Sequence, residues 1–255
     1  MRPNPVITNL ESSRFDSLIE SYRVYELDNQ TELDLDPEGN FELIFQLSGD
    51  FLQRTYGTEE WKIRPKNFVG GLHSKSFQIR GTSEKSKLIS VRFKPLGARH
   101  FMPDRLNLFK NSLIDLSDIS KEIRHLELQG MENAELSHKL DAFLATSFSE
   151  YHKSVIDHAV EIISNTKGFI GIKSICNKLN ISESHLRKLF NEQVGMSPKE
   201  YSKVLRINYI SSILKQNHCS TLTQLSYELG YYDQAHFIKD FKSVTGRSPR
   251  SYLRQ

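Results

Sequence analysis

The feature that most narrows what this 255-residue chain can fold into is a repeat near its C-terminal end. Residues 172–201 (IKSICNKLNISESHLRKLFNEQVGMSPKEY) match 222–252 (LTQLSYELGYYDQAHFIKDFKSVTGRSPRSY) at an offset of 50, and of 51 once past a turn. Ile175, Cys176 and Leu179 align with Leu225, Ser226 and Leu229, and His185, Leu186, Lys188 and Phe190 align with His236, Phe237, Lys239 and Phe241. Both copies end on matching Gly, Ser, Pro and Tyr positions, in 195–201 and 246–252. A tandem repeat that keeps apolar positions, turn residues and one polar face together is hard to obtain by chance.

Within the second copy, Leu222, Leu225 and Leu229 recur at helical spacing and stop at Gly230, which can leave a helix through positive φ. Asp233 is placed to cap a second helix with Phe237, Ile238 and Phe241 on its apolar face. Gln234, Ala235, His236 and Lys239 then fall on the polar face. Two short helices joined by a turn, with amide and cationic side chains outward, make the helix-turn-helix pattern. Between the two units, Pro198 to Gln216 reads as one long helix with Val204, Leu205, Ile207, Ile210, Ile213 and Leu214 on a broad apolar face. Some 18 residues at 1.5 Å each span roughly 27 Å, close to the roughly 34 Å between successive major-groove faces.

Charge follows the same division. Of 34 basic and 31 acidic residues, 152–255 holds 15 and 8, a net +7, and the remainder carries −4. A polyanionic partner therefore suits the C-terminal half alone. Two cysteines, Cys176 and Cys219, show no C-x-x-C spacing, and Cys176 sits at an inward helical position. They read as ordinary reduced thiols, redox sensing by Cys219 being the minority reading, and no zinc site is expected. No signal-like or membrane-spanning run is present, which leads us to expect a cytoplasmic protein with no membrane partner.

The first 95 residues read as many short strands: 22–27, 41–47, 51–56, 61–63, 68–69, 76–79 and 87–93, with a strong turn at Asp36-Pro37-Glu38-Gly39-Asn40. Helices are expected over 96–102, 105–110 and 132–148, the last with Leu136, Leu140, Phe143 and Leu144 on one stripe. The fold class is α+β: an antiparallel barrel or sandwich over 1–150, then an all-α region over 151–255.

The second unit, with Gly230-Tyr231, His236-Phe237, Phe241-Lys242, Gly246, Ser248-Pro249 and Tyr252, resembles the signature of the AraC/XylS family of bacterial transcription regulators. It departs from that pattern at Tyr231, Ser226 and Cys176, all inner-side positions. The segments 36–47 and 91–98 more loosely resemble the cupin-like N-terminal sensory domains of that family. The resemblance implies base-reading roles for Ser184, Arg187 and Lys188 in the first unit and for Gln234, His236 and Lys239 in the second. Arg can pair twice with guanine, Gln with adenine, and Lys can reach guanine acceptors. Lys242, Arg247, Ser248 and Arg250 suit phosphate, which positions without reading sequence. Double-stranded DNA, RNA polymerase, a small-molecule effector and a second copy of the chain are the partners the resemblance implies.

Catalysis finds little support. His73 and His100 stand apart, no phosphate loop or nucleophile elbow occurs, and the turn between Glu38 and Glu42 is expected to keep their carboxylates from converging. No cofactor or metal is implied. Trp61, Phe68, His73, Phe77 and Arg92 are candidates to line a ligand cavity in the strand-rich half, or simply to fill its core. The competing readings are a DNA-tethered enzyme with catalysis in the N-terminal domain, and a helical protein-interaction module. The first needs a nucleophile or metal cluster in 1–150; the second leaves the matched cationic faces unexplained.

Overall fold

The structure is a computed structural model that describes residues 5–10, 14–102, 105–216 and 221–253. Among the described residues ten strands come first: β1 Val6–Leu10, β2 Ile19–Leu27, β3 Leu33–Leu35, β4 Glu42–Ser48, β5 Phe51–Thr55, β6 Lys62–Ile63, β7 Asn67–Gly70, β8 Phe77–Gly81, β9 Ser86–Phe93 and β10 Leu113–Asp115. They form two antiparallel sheets, in the orders β1-β2-β9-β4-β7-β10 and β3-β8-β5-β6. The α-helices that follow are α1 Asn133–Thr146, α2 Val155–Asn165, α3 Ile172–Leu179, α4 Glu183–Gln193, α5 Pro198–Lys215, α6 Leu222–Glu228, α7 Gln234–Thr245 and α8 Pro249–Tyr252.

Strand alternation gives the six-stranded sheet two different faces. Tyr22, Val24, Leu43, Phe45, Ile89 and Val91 point to one side and join a core that runs through α1 and α2 into α3 and α4. Tyr25, Leu27, Ile44 and Leu88 point to the other side and pack on Phe51, Phe77 and Ile79 of the smaller sheet. Both sheet faces are thus covered, one by helices and one by strands.

The helices expected over 96–102 and 105–110 are single 3-10 turns, Gly97–His100 and Leu106–Phe109. Leu96 opens the first with φ +65, and neither run has the length to amortise a nucleated α-helical turn. Strands β1, β3 and β10 and helix α2 were not expected. Helix α2 was nonetheless legible, because Ser154 and Asp157 form a capping box ahead of Ile156, Ala159, Val160 and Ile163 at helical spacing.

The repeat is kept in the backbone. Asn180 and Gly230 stand at aligned positions and both have positive φ, +51 and +75, which ends the first helix of each unit. Ser182 accepts from the His185 backbone N–H at 3.1 Å and Asp233 accepts from that of His236 at 2.7 Å, capping α4 and α7. Ser197 and Ser248 cap α5 and α8 in the same manner, each followed by Pro. The connecting helix α5 has the 18 residues expected of it.

Candidate nucleic-acid interface

Helices α4 and α7 each turn their apolar side inward. Leu186, Phe190, Phe237 and Phe241 are fully buried. On the opposite side Ser184, Arg187 and Lys188 are exposed on α4, and His236 and Lys239 are exposed on α7. Gln234 is half-buried, its Oε1 accepting from Thr223 Oγ1 at 3.0 Å. Lys242 and Arg250 are exposed beside α7 and α8. The His236 ring stands edge-on to Tyr231 at 5.3 Å, which orients it without burying it. Lys203 on α5 pairs with Asp240 on α7 at 3.0 Å, tying the spacer helix to the second reading helix.

Two of the residues expected at phosphate are engaged inside the protein instead. Ser248 is occupied as the cap of α8, accepting from the Ser251 N–H at 3.2 Å. Arg247 is buried, with Nη1 on Asp34 Oδ2 at 2.8 Å, Nη2 at 3.7 Å from Asp36 Oδ1, and its guanidinium over the Tyr56 and Tyr252 rings. Its position in the fold, at the closing turn that packs on β3, could not be read from local sequence.

The two units are attached to the strand-rich half through matched positions. Gly195 (φ +93) and Gly246 (φ +71) close the repeats, and a Cβ there would lie 2.9 Å from the Leu106 carbonyl oxygen and 2.3 Å from Tyr56 Cβ, respectively. Positive φ and close approach both require glycine at these turns. Tyr201 and Tyr252, aligned in the repeat, both reach the 36–40 turn. Tyr201 packs where a Gly39 Cβ would be, and the Tyr252 hydroxyl donates to Asp36 at 2.5 Å.

The chemistry of the two seams differs. The core of the first unit is continuous with that of the large sheet, through Leu106, Phe109, Ile156, Ile175, Leu186, Phe190 and Tyr201. Ion pairs Arg99–Asp157 (2.8 Å) and Lys110–Glu200 (2.6 Å) border it. The second unit has a separate core of its own. It meets the sheets through polar contacts, namely Arg247 with Asp34 and Asp36, Tyr252 with Asp36, and the Ser76 N–H with the Val244 carbonyl at 2.8 Å.

Between the sheets lies a cleft of about 50 Å³ walled by the 35–39 turn, Ile44, Ile79, Leu88, Arg64, His73, Phe77 and Arg92. Three of the five residues expected in a ligand cavity are therefore there. Trp61 is not, since it is held between Arg54 and Arg80 at 4.5 and 4.4 Å, and Phe68 is buried core beneath Arg64. Arg92 is saturated: Glu20, Glu38 and Glu42 all converge on its guanidinium. The expectation that Glu38 and Glu42 stay apart fails here, because β4 and β9 pair in the register Glu42↔Arg92 and the turn folds Glu38 back over it. The cleft arginines that sequence reading missed are Arg23, which pairs with Glu38 at 3.7 Å, and Arg64; no local pattern marks either.

His100 Nδ1 lies 2.9 Å from the Ser149 carbonyl, and His73 packs on Phe77 at 4.5 Å. Among the described residues no group of three His, Cys, Asp or Glu side chains is placed to hold a metal ion, and no helix is long and apolar enough to cross a membrane. Cys176 is a buried free thiol, which burial pushes above its ordinary range, and Cys219 lies outside the described residues.

Residues 175–255 match the family profile of a helix-turn-helix domain, and residues 12–115 match a domain of unknown function, DUF6597. The lactose operon transcription activator of Staphylococcus xylosus is 40% identical over 88 residues, covering 34% of this chain and 31% of that protein. The Msm operon regulatory protein of Streptococcus mutans is 27% identical over 146 residues, covering 57% of this chain and 49% of its own. The chain thus spans between about a third and a half of these curated relatives. ToxT from Vibrio cholerae overlays 98% of this chain and 97% of its own with a TM-score of 0.48 and 14% identity.

Proposed function

We propose that this chain, which carries an AraC-type helix-turn-helix domain at its C-terminal end, is a sequence-specific DNA-binding transcription regulator. Residues 151–255 read the duplex, with α4 and α7 in successive major grooves, and residues 1–150 sense an effector or oligomerise. RNA polymerase and a second copy of the chain are the further partners that such a regulator, working in the cytoplasm, implies. The observation that carries this reading is the matched pair of polar faces. Ser184, Arg187 and Lys188 lie outward on α4, and His236 and Lys239 lie outward on α7, while the aligned Leu186, Phe190, Phe237 and Phe241 are buried. Gln234 joins the second face as an amide suited to adenine. Lys242 and Arg250 serve phosphate as they stand, whereas Arg247 does so only once it leaves Asp34 and Asp36.

That condition gives the reading a regulatory form. The first head is joined to the sheets by apolar packing and stays with them. The second is held by carboxylates and hydroxyls, which a phosphate backbone can replace as partners of Arg247. The test is selection of bound fragments from a random duplex library by the full chain, followed by titration of the recovered duplex at several salt concentrations. Enrichment of a bipartite site with half-sites about one helical turn apart, and affinity that falls steeply with salt, are expected. Recovery of no preferred sequence, or a flat salt response, would overturn the reading.

A further inference from the structure

The DNA-binding reading makes no use of Arg64. It is 4% exposed, yet no carboxylate lies within ion-pair distance of it among the described residues. Its Nε donates to Gln53 Oε1 at 2.7 Å and Nη2 donates to the same oxygen, while the guanidinium lies over Phe68 at 4.7 Å and Phe77 at 5.3 Å. Nη1 makes no hydrogen bond among the described residues. Burial pushes the group down to about 9, against the more distant pull of Glu42 and Tyr25. Taking a guanidinium out of water without a counter-charge is costly, and its paired donors match carboxylate or phosphate oxygens.

The other charges in the cleft are already matched. Glu38 and Glu42 are on Arg92, Glu42 also accepts from Ser90 at 2.9 Å, and Asp36 holds Ser76 and Tyr252. His73, half-buried beside Arg64, is kept uncharged by desolvation with the arginine's charge adding to it. Ile44, Ile79 and Leu88 supply an apolar wall. A second cleft of about 550 Å³ has His73 and Phe77 in its lining as well.

We propose that this cleft is a receptor site for a compact organic anion, a carboxylate or phosphate monoester on an apolar body, whose head pairs with Arg64 and whose body lies along Ile44, Ile79 and Leu88. The inference deepens the sensing role given above to residues 1–150. The same wall, 35–39, that closes the cleft carries Asp36 and Gly39, which touch Tyr252 and Tyr201 of the two heads.

The test is done without DNA, so it fails or succeeds apart from the DNA-binding reading. Hexanoate, hexyl phosphate and hexanol are titrated calorimetrically into the full chain, and into Arg64→Met. At least one anion is expected to bind the wild-type chain ten times or more tighter than hexanol, and the better anion tells carboxylate from phosphate. Arg64→Met should abolish that preference and leave the ligand-free melting temperature no lower. Should Arg64→Met not fold, Arg64→Lys keeps the charge but loses the paired donors, and should weaken the anion about tenfold while leaving hexanol unchanged. Equal binding of both anions and hexanol to the wild-type chain overturns the proposal, as does an anion preference that survives in Arg64→Met or is undiminished in Arg64→Lys.

Discussion

Asparagine at position 34 is the most direct probe of how the second head is held. Asp34 accepts from Arg247 Nη1 at 2.8 Å, and the arginine side chain is 8% exposed against 21% for the aspartate. Removing one partner of a fully buried pair costs about 3–5 kcal/mol, because it strands the other charge. Here the carboxylate is one-fifth exposed and Asp36 remains 3.7 Å away as a second partner, so about 1–2 kcal/mol is the better figure for Asp34→Asn. If Arg247 must leave this pair to meet phosphate, the same energy is returned on binding DNA. At about 1.4 kcal/mol per factor of ten, affinity for the selected duplex should rise about 5- to 30-fold. Fluorescence anisotropy on that duplex measures it, with Glu59→Gln, which removes one negative charge from an exposed loop of the same half, as the control for net charge. The reasoning is refuted if Asp34→Asn lowers the melting temperature yet binds DNA no tighter than Glu59→Gln, since the pair would then be structural and kept in the complex.

Other consequences follow from the same geometry. Arg187→Ala or Gln234→Ala should cost about 1–3 kcal/mol on the selected duplex and relax base preference at one position, which repeating the selection with each variant would detect; equal losses on random duplex would contradict the base-reading roles. Phe241→Ala empties a fully buried site in the separate core of the second unit and should destabilise it by about 3–5 kcal/mol, seen as a lower melting temperature without DNA. The Asp157 carboxyl is pushed up by burial, but bonds from the Ser154 N–H and from Arg99 outweigh this and hold it below its ordinary range. Its folded pKa is thus depressed, so the stability it contributes is present above about pH 4 and lost as pH falls through the folded value. The stability gap between the wild-type chain and Asp157→Asn, followed by denaturant melts from pH 7 downward, should accordingly be constant to about pH 4 and shrink below it.

Periodicity and turn chemistry made the C-terminal repeat legible in full. Helix α7 begins after Asp233 and α5 begins at Pro198 because caps and first-turn prolines are local devices, and Leu186, Phe190, Phe237 and Phe241 are buried because 3.6-residue spacing puts them on one face. The seven strands from 22 to 93 were also marked, by apolar alternation between Gly and Pro punctuation. Strand β3 was missed, because Leu33–Leu35 is three residues long and gains its pairing only from β8, more than forty residues on. The same limit governs the charges. Nothing local says that Glu20, Glu38 and Glu42 meet at Arg92, that Arg64 is left without a carboxylate, or that Asp34 waits for an arginine 213 residues later. Helical faces and caps are set by neighbours within a turn or two of chain, so the residues of 172–252 specified their own shape and which side chains face outward. Which of those side chains are free to touch another molecule depends on partners brought in by sheet register and packing, and for Arg247 and Arg92 only the assembled fold decided it.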